Sequence, residues 1–153
     1  MPVIHLETVI NTSIETCFDL SRSIDLHLES TKQTGERAIA GRTGGLIELN
    51  ETVTWRARHF YIWQNLTSKI TQMQWPDFFV DEMVHGAFKS FRHEHRFTNV
   101  NGATLMTDIF TFESPYGWLG AIANQLFLTR YMTNLLKQRN SVIKQFAESG
   151  RVI

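Results

Sequence analysis

The sequence predicts one α+β domain over residues 1–153, with a curved antiparallel sheet of about seven strands packed against a long C-terminal helix. Between Gly35 and Pro115, β-branched and aromatic residues dominate, and Gly or Asn-Gly separates the segments, so strand follows strand without an intervening helix. From 119 to 148, apolar residues recur at helical spacing without a proline. At about 1.5 Å per residue, this helix is about 45 Å long and can cross a whole sheet.

The chain is expected to begin with a strand over 3–10, followed by two short helices over 14–21 and 24–30. Either Thr12 or Ser13 suits the first helix N-terminus, and Thr12 with Glu15 forms a capping-box pattern. Further strands are predicted near 35–41, 49–60, 66–75, 77–86, 89–99 and 103–113. A seven-stranded meander of this kind must bury one face, and only the last helix is long enough to cover it.

A turn at Asn101-Gly102 sets the register of the last two strands, because this dipeptide favours a two-residue type I′ loop. Counting back from the turn places His95 opposite Asp108 and His93 opposite Phe110. Side chains alternate between the faces of a strand, so the two histidines share one face. Arg and Glu side chains take the other face of the same strand.

The connection that precedes this strand carries no comparable turn signal, so its register is left open. A four-residue loop over 86–89 would put Glu82 opposite His93. A different loop length would bring Asp81 or Met83 to that position instead.

Composition excludes several classes of protein. Lys plus Arg and Asp plus Glu both number 15, so the formal net charge is zero and no nucleic-acid partner is expected. No apolar run approaches the length of about 20 residues that spans a bilayer, so no membrane insertion is expected. The start of the chain lacks a signal-peptide pattern. The one cysteine, Cys17, has no partner for a disulfide and is interpreted as a small apolar residue, which favours a cytoplasmic protein.

Two histidines and one carboxylate on an inner face admit four interpretations. They could form a polar network that satisfies itself and fixes the sheet. They could anchor the polar end of a ligand. His95 could act as a general acid or base oriented by Asp108, with His93 as a further candidate. A metal site is the fourth interpretation, but a strand does not itself supply the missing ligand, so neither a metal nor a cofactor is predicted.

A strongly curved sheet cannot touch a straight helix everywhere, and the gap between them is where a ligand cavity forms. The strand over 53–59 contributes alternate residues to the same inner face as the histidines. Residues 116–120, which contain two glycines just before the helix, could act as a gate. The candidate ligand contacts are Trp55, Ala57, His59, Phe91, His93, His95, Asp108, Phe110, Phe112 and Tyr116.

The order of elements and a set of motifs resemble a known family over nearly the whole chain. The motifs are VTWRARHF over 53–60, FVDEMV over 79–84, GAF over 86–88, HxHxF over 93–97, Asp108, SPYG over 114–117 and Arg139. They resemble the START-like helix-grip superfamily, also called SRPBCC, which includes polyketide cyclase/dehydrase-type and birch-pollen-allergen-like proteins. Within it, they are most similar to uncharacterised bacterial SRPBCC proteins labelled cell-division-inhibitor-like. The resemblance implies a cavity that accepts apolar ligands, but it does not identify a catalytic residue.

The function predicted from the sequence is the binding of a small, largely apolar molecule, lipid-like or aromatic, between the sheet and the C-terminal helix. One alternative is a cyclase, dehydrase or hydrolase that uses His95 and Asp108 as an acid–base pair. A second alternative is a protein-interaction module without a ligand. Binding without catalysis is preferred, and the ligand's identity and the oligomeric state stay open.

Overall fold

The computed structural model describes residues 1–59, 61–114 and 118–151, and for residues 118–125 it describes the backbone alone. The strands are β1 (Val3–Ile10), β2 (Arg37–Gly41), β3 (Thr52–His59), β4 (Ile62–Gln74), β5 (Phe78–His85), β6 (Ser90–Val100) and β7 (Ala103–Glu113). The helices are α1 (Ile14–Ser21), α2 (Ile24–Ser30), a short 3₁₀ helix (Lys32–Thr34) and α3 (Trp118–Glu148). This order confirms the predicted α+β architecture.

The strands of the described residues form one antiparallel sheet in the order β1-β7-β6-β5-β4-β3-β2. Consecutive strands from β2 to β7 are neighbours, as the predicted meander requires. The first strand, β1, pairs with the last one, β7, and the two short helices lie between β1 and β2 in the chain. No helix in the described ranges is both long and apolar enough to cross a membrane.

The register around the Asn101-Gly102 turn is confirmed. Both residues have positive φ, at 52° and 87°, as a type I′ turn requires. His95 lies opposite Asp108 and His93 lies opposite Phe110. Turn chemistry alone was therefore enough to place the histidines against the correct strand.

The register between β5 and β6 differs from the four-residue loop considered first. Asp81, not Glu82, lies opposite His93, and Phe79 lies opposite His95. This register buries the ring of Phe79, which is 2% exposed and stacks on His95 with ring centroids 4.1 Å apart. A slip of one residue would turn that ring to the outer face, so burial selects the observed pairing.

Some boundaries also depart from the prediction; β3, for example, begins at Thr52 rather than near residue 49. β4 begins at Ile62, four residues earlier than expected, because residues 62–65 continue the pairing with β3 as far as His59, which lies opposite Ile62. Ser13 caps α1, since its side chain accepts a hydrogen bond from the backbone N–H of Thr16, and it is therefore the N-cap rather than Thr12.

The apolar core has two parts, which lie at different places along the sheet. The larger part packs α1, α2 and the C-terminal part of α3 on the sheet and includes Ile10, Phe18, Phe79, Phe97, Met106 and Ile143. The smaller part is an aromatic cluster that includes Phe91, Phe110, Phe112 and Leu136. These two parts do not fill the inner face of the sheet completely, and a space remains between the sheet and α3.

Candidate functional site

A cavity of about 450 Å³ lies between the inner face of the sheet and α3. The helix presents Leu128, Met132, Leu135 and Arg139 to it, at the spacing of three and four residues that defines one helix face. The segment 21–27 of α1 and α2 contributes a further part of the wall. Small-molecule sites typically enclose about 300–1,000 Å³, so the volume suits a ligand of that class.

The wall is mainly apolar, and aromatic rings form much of it. They stand on several strands and on the β5–β6 connection. The rings and aliphatic side chains include Trp55, Leu66, Phe79, Phe88, Phe91 and Phe110. Such a surface holds the apolar body of a ligand by removing it from water, without fixing its orientation.

Seven of the ten predicted ligand contacts line this cavity, namely Trp55, Ala57, His59, Phe91, His93, His95 and Phe110. Asp108 and Phe112 do not line it, because both are fully buried behind the wall. Phe112 belongs to the aromatic cluster, with its ring centroid 5.7 Å from that of Phe110. Tyr116 lies outside the described residues.

One polar part of the wall is a pair of histidines on β6, each hydrogen-bonded to an aspartate on a neighbouring strand. His95 Nε2 donates to Asp81 Oδ2 at 2.7 Å, and His93 Nε2 donates to Asp108 Oδ1 at 2.8 Å. The predicted acid–base pair of His95 and Asp108 is therefore not hydrogen-bonded, although His95 Nδ1 lies 3.5 Å from Asp108 Oδ1. The pairing of two residues on neighbouring strands fixes the positions of their Cβ atoms. The side-chain torsion angles of each histidine then decide which carboxylate its ring reaches.

Asp108 joins the sheet to two helices. Asn140 Nδ2 on α3 donates to its Oδ2 at 2.7 Å, and Arg139 Nη1 approaches its Oδ1 at 3.5 Å. The other arm of the guanidinium, Nη2, donates to the carbonyl of Ser21 at the end of α1. These bonds satisfy a fully buried carboxylate and hold α3 over the histidines.

The surroundings of this cluster lower the pKa values of both Asp108 and His95. Burial alone would raise the pKa of Asp108, but the hydrogen bond from His93 and the positive charge of Arg139 hold that pKa well below its usual range. Burial, together with the neighbouring His93 ring, lowers the pKa of His95 to about 4 despite the opposing influence of Asp81. At pH 7 the site therefore contains an ionised Asp108 and a neutral His95.

A second polar cluster lies elsewhere on the cavity wall and was not predicted. His27 Nε2 contacts Glu36 Oε1 at 3.1 Å, and the His27 ring packs on Trp55 with centroids 4.2 Å apart. His59 Nδ1 shares a hydrogen bond of 2.6 Å with the hydroxyl of Tyr131 on α3. Burial tends to raise the pKa of Glu36, but the adjacent His27 outweighs it and the pKa is lowered.

Cys17 is fully buried on α1, as expected for a small apolar residue. Burial raises the pKa of its thiol to about 12. We expect a thiol-specific reagent to leave the folded protein unmodified at neutral pH and to label one thiol per chain in denaturant, because the thiolate is the reactive form. Mass spectrometry of the labelled protein provides the measurement, and stoichiometric labelling under native conditions would contradict the assignment.

Comparison with solved structures identifies the fold. Protein TTHA0849 from Thermus thermophilus superposes with a TM-score of 0.78 at 12% identity, covering 99% of this chain and 100% of that chain. Ginseng major latex-like protein 151 from Panax ginseng superposes with a TM-score of 0.68 at 15% identity, covering 95% and 97%. The di-domain ARO/CYC protein StfQ of the steffimycin biosynthetic pathway gives a TM-score of 0.74 at 11% identity, covering 96% of this chain and 52% of that one.

No family model matches the sequence, and no curated protein matches it either. Identities between 11% and 15% carry no information about a shared activity, so the likeness to these proteins concerns architecture alone. The seven antiparallel strands, the two short helices after β1 and the long C-terminal helix give this chain an α+β helix-grip fold, which these solved structures share.

Proposed function

We propose that the protein binds a small, largely apolar molecule, lipid-like or aromatic, in the cavity between the sheet and α3. The observation that carries the proposal is the cavity itself, which has a volume of about 450 Å³ and a wall of rings interrupted by a few buried polar groups. Natural small-molecule sites combine these features, since the apolar wall supplies affinity and the polar groups supply orientation. A cavity of this kind also counts against a protein-interaction module that binds no ligand.

The two polar clusters define what the ligand must look like. One is the pair of histidines with Asp81, and the other consists of the His27–Glu36 and His59–Tyr131 contacts. The ligand in this proposal has an apolar body with a hydrogen-bonding group that reaches one of these clusters. A purely hydrocarbon ligand would leave the buried polar groups without a partner from the ligand and would gain little specificity.

The motifs in the sequence also favour a place for this chain among the bacterial SRPBCC proteins labelled cell-division-inhibitor-like. The single buried cysteine, Cys17, suits the reducing conditions of the cytoplasm. The zero formal net charge favours an apolar small molecule over nucleic acid as the partner.

Filling the cavity tests the proposal. Leu135 lines the cavity and belongs to neither part of the apolar core, so tryptophan at this position projects into the space a ligand would occupy. We expect Leu135→Trp to weaken the binding of the apolar fluorescent probe 1-anilinonaphthalene-8-sulfonate at least about tenfold, or about 1.4 kcal/mol. Fluorescence titration measures the dissociation constants of the variant and the wild type.

The matched control is Leu126→Trp, which makes the same change on the same helix at a side chain that is 73% exposed. This variant is expected to bind the probe as the wild type does. Thermal unfolding of both variants checks that the folded state persists, because loosened proteins also bind such probes. Equal affinity of Leu135→Trp and Leu126→Trp would refute binding in the cavity, and native mass spectrometry of protein purified from its own host would identify a natural ligand.

A further inference from the structure

We propose that Asp81, His93 and His95 form a binding site for a divalent transition-metal ion of the Zn²⁺ class on the wall of the cavity. Each of the three side chains offers one ligand atom, and these atoms lie within 4.8 Å of one another. A pair of imidazoles and one carboxylate is a ligand set that such ions favour. All three residues line the cavity, so a further coordination position would open toward it.

The two imidazole rings lie side by side, with centroids 3.7 Å apart, and the Asp81 carboxylate approaches one nitrogen of each. Asp81 Oδ2 lies 2.7 Å from His95 Nε2 and 4.0 Å from His93 Nδ1. Ligand atoms at about 2.0–2.1 Å from a tetrahedral Zn²⁺ lie about 3.3 Å apart. These two distances therefore have to change by less than about 1 Å, and the third pair of ligand atoms, which lies within 4.8 Å, has to close by up to about 1.5 Å. Rotations of the side chains achieve changes of this size.

The carboxylate of Asp108 faces the second nitrogen of both rings, on the side away from Asp81. His93 Nε2 donates to Asp108 Oδ1 at 2.8 Å, and His95 Nδ1 faces the same oxygen at 3.5 Å. Metal-binding histidines usually donate their other ring N–H to a carboxylate, which fixes the tautomer and the direction of the free nitrogen. Asn140 and Arg139 hold Asp108 in this role from α3.

One buried atom is left without a partner unless a metal binds. In the described arrangement His95 Nε2 donates to Asp81, and His95 Nδ1 is buried with no hydrogen-bond partner. Buried ring nitrogens are normally paired. A metal on Nε2 places the ring proton on Nδ1, where it faces Asp108, and so satisfies the atom that the metal-free arrangement leaves unpaired.

The charges around the cluster also suit a cation. Asp81 and Asp108 supply two carboxylates, and Arg139 supplies one positive charge that is engaged with Asp108, Asn140 and Ser21. The carboxylate of Asp81 is the one that faces the cavity. Mg²⁺ and Ca²⁺ prefer sites made of oxygen ligands, so two imidazoles select against them.

The third ligand explains why the sequence alone argued against a metal. His93 and His95 come from β6, and one strand supplies no further ligand. Asp81 comes from β5, whose register with β6 turns its side chain toward the histidines. The complete set of three ligands can therefore be recognised only when the β5–β6 pairing is known.

Metal titration of the wild-type protein without any organic ligand tests the proposal independently of the proposed function. After dialysis against a chelator, we expect calorimetry to show one saturable Zn²⁺ site that Mg²⁺ does not block. Co²⁺ is expected to give visible d–d bands at the same stoichiometry. The Asp81→Asn variant is expected to bind Zn²⁺ at least about tenfold more weakly, the lower end of what altering a metal site's surroundings costs.

Asp77→Asn is the matched control, because it makes the same chemical change at an exposed residue just before β5. It is expected to bind Zn²⁺ as the wild type does. X-ray absorption of the zinc-loaded wild type needs no variant and is expected to show two imidazole ligands. The proposal is overturned if the wild type shows no saturable Zn²⁺ site, if fewer than two imidazoles are found, or if folded Asp81→Asn binds as tightly as Asp77→Asn.

Discussion

Replacing Asp108 by leucine is expected to lower the free energy of unfolding by about 3–5 kcal/mol. The carboxylate is fully buried and accepts hydrogen bonds from His93 and Asn140, while Arg139 at 3.5 Å is itself only 7% exposed. Leucine removes the charge that compensates the guanidinium and leaves three buried donors without their acceptor. Urea unfolding of the variant and the wild type, followed by circular dichroism, measures the difference.

A second substitution separates the charge from the packing. Arg139→Met in the Asp108→Leu background removes the uncompensated cation, so the double variant is expected to be less destabilised than the sum of the single ones. Glu29→Leu, which breaks the exposed pair with Lys32, is the surface comparison and is expected to cost about 0.5 kcal/mol or less. Strict additivity in the double variant would show that Asp108 and Arg139 act independently.

The part of the site that local rules govern could be predicted from the sequence. A single dipeptide, Asn101-Gly102, fixes the β6–β7 register, and strand alternation then puts His93, His95 and Asp108 on the inner side of the sheet. Both rules act over a few residues and depend little on the rest of the molecule. The length of α3 followed from helical periodicity, and the cavity beside it was expected because a curved sheet cannot touch a straight helix everywhere.

The part that depends on tertiary packing could not be predicted. The connection over 86–89 has no turn signal that selects one loop geometry, and burial of Phe79 decides between Asp81 and Glu82. Likewise, Glu36 contacts His27 of α2 only through the irregular chain that leads from that helix into β2. Residues that meet through such irregular segments leave no periodic pattern in the sequence.

Replacing Phe18 by alanine is expected to cost about 3–5 kcal/mol of the free energy of unfolding. The ring is fully buried on α1, and its centroid lies 5.2 Å from those of both Phe79 and Phe97. Alanine leaves a void in the larger part of the core and also loses the contacts with the two neighbouring rings. Chemical unfolding measured by tryptophan fluorescence gives the change in stability.

Phe127→Ala provides the comparison, since that ring is 56% exposed on α3, and its removal is expected to cost about 1 kcal/mol or less. The difference between the two losses of stability tests whether the interior has a densely packed part around Phe18 next to the cavity. Phe18 belongs to the filled part and does not line the cavity, so its loss is expected to affect stability far more than it affects the affinity for an apolar probe. Similar small costs for the two substitutions would mean that α1 is not packed on the sheet as described, and the wall formed by Phe79 would then lack its support.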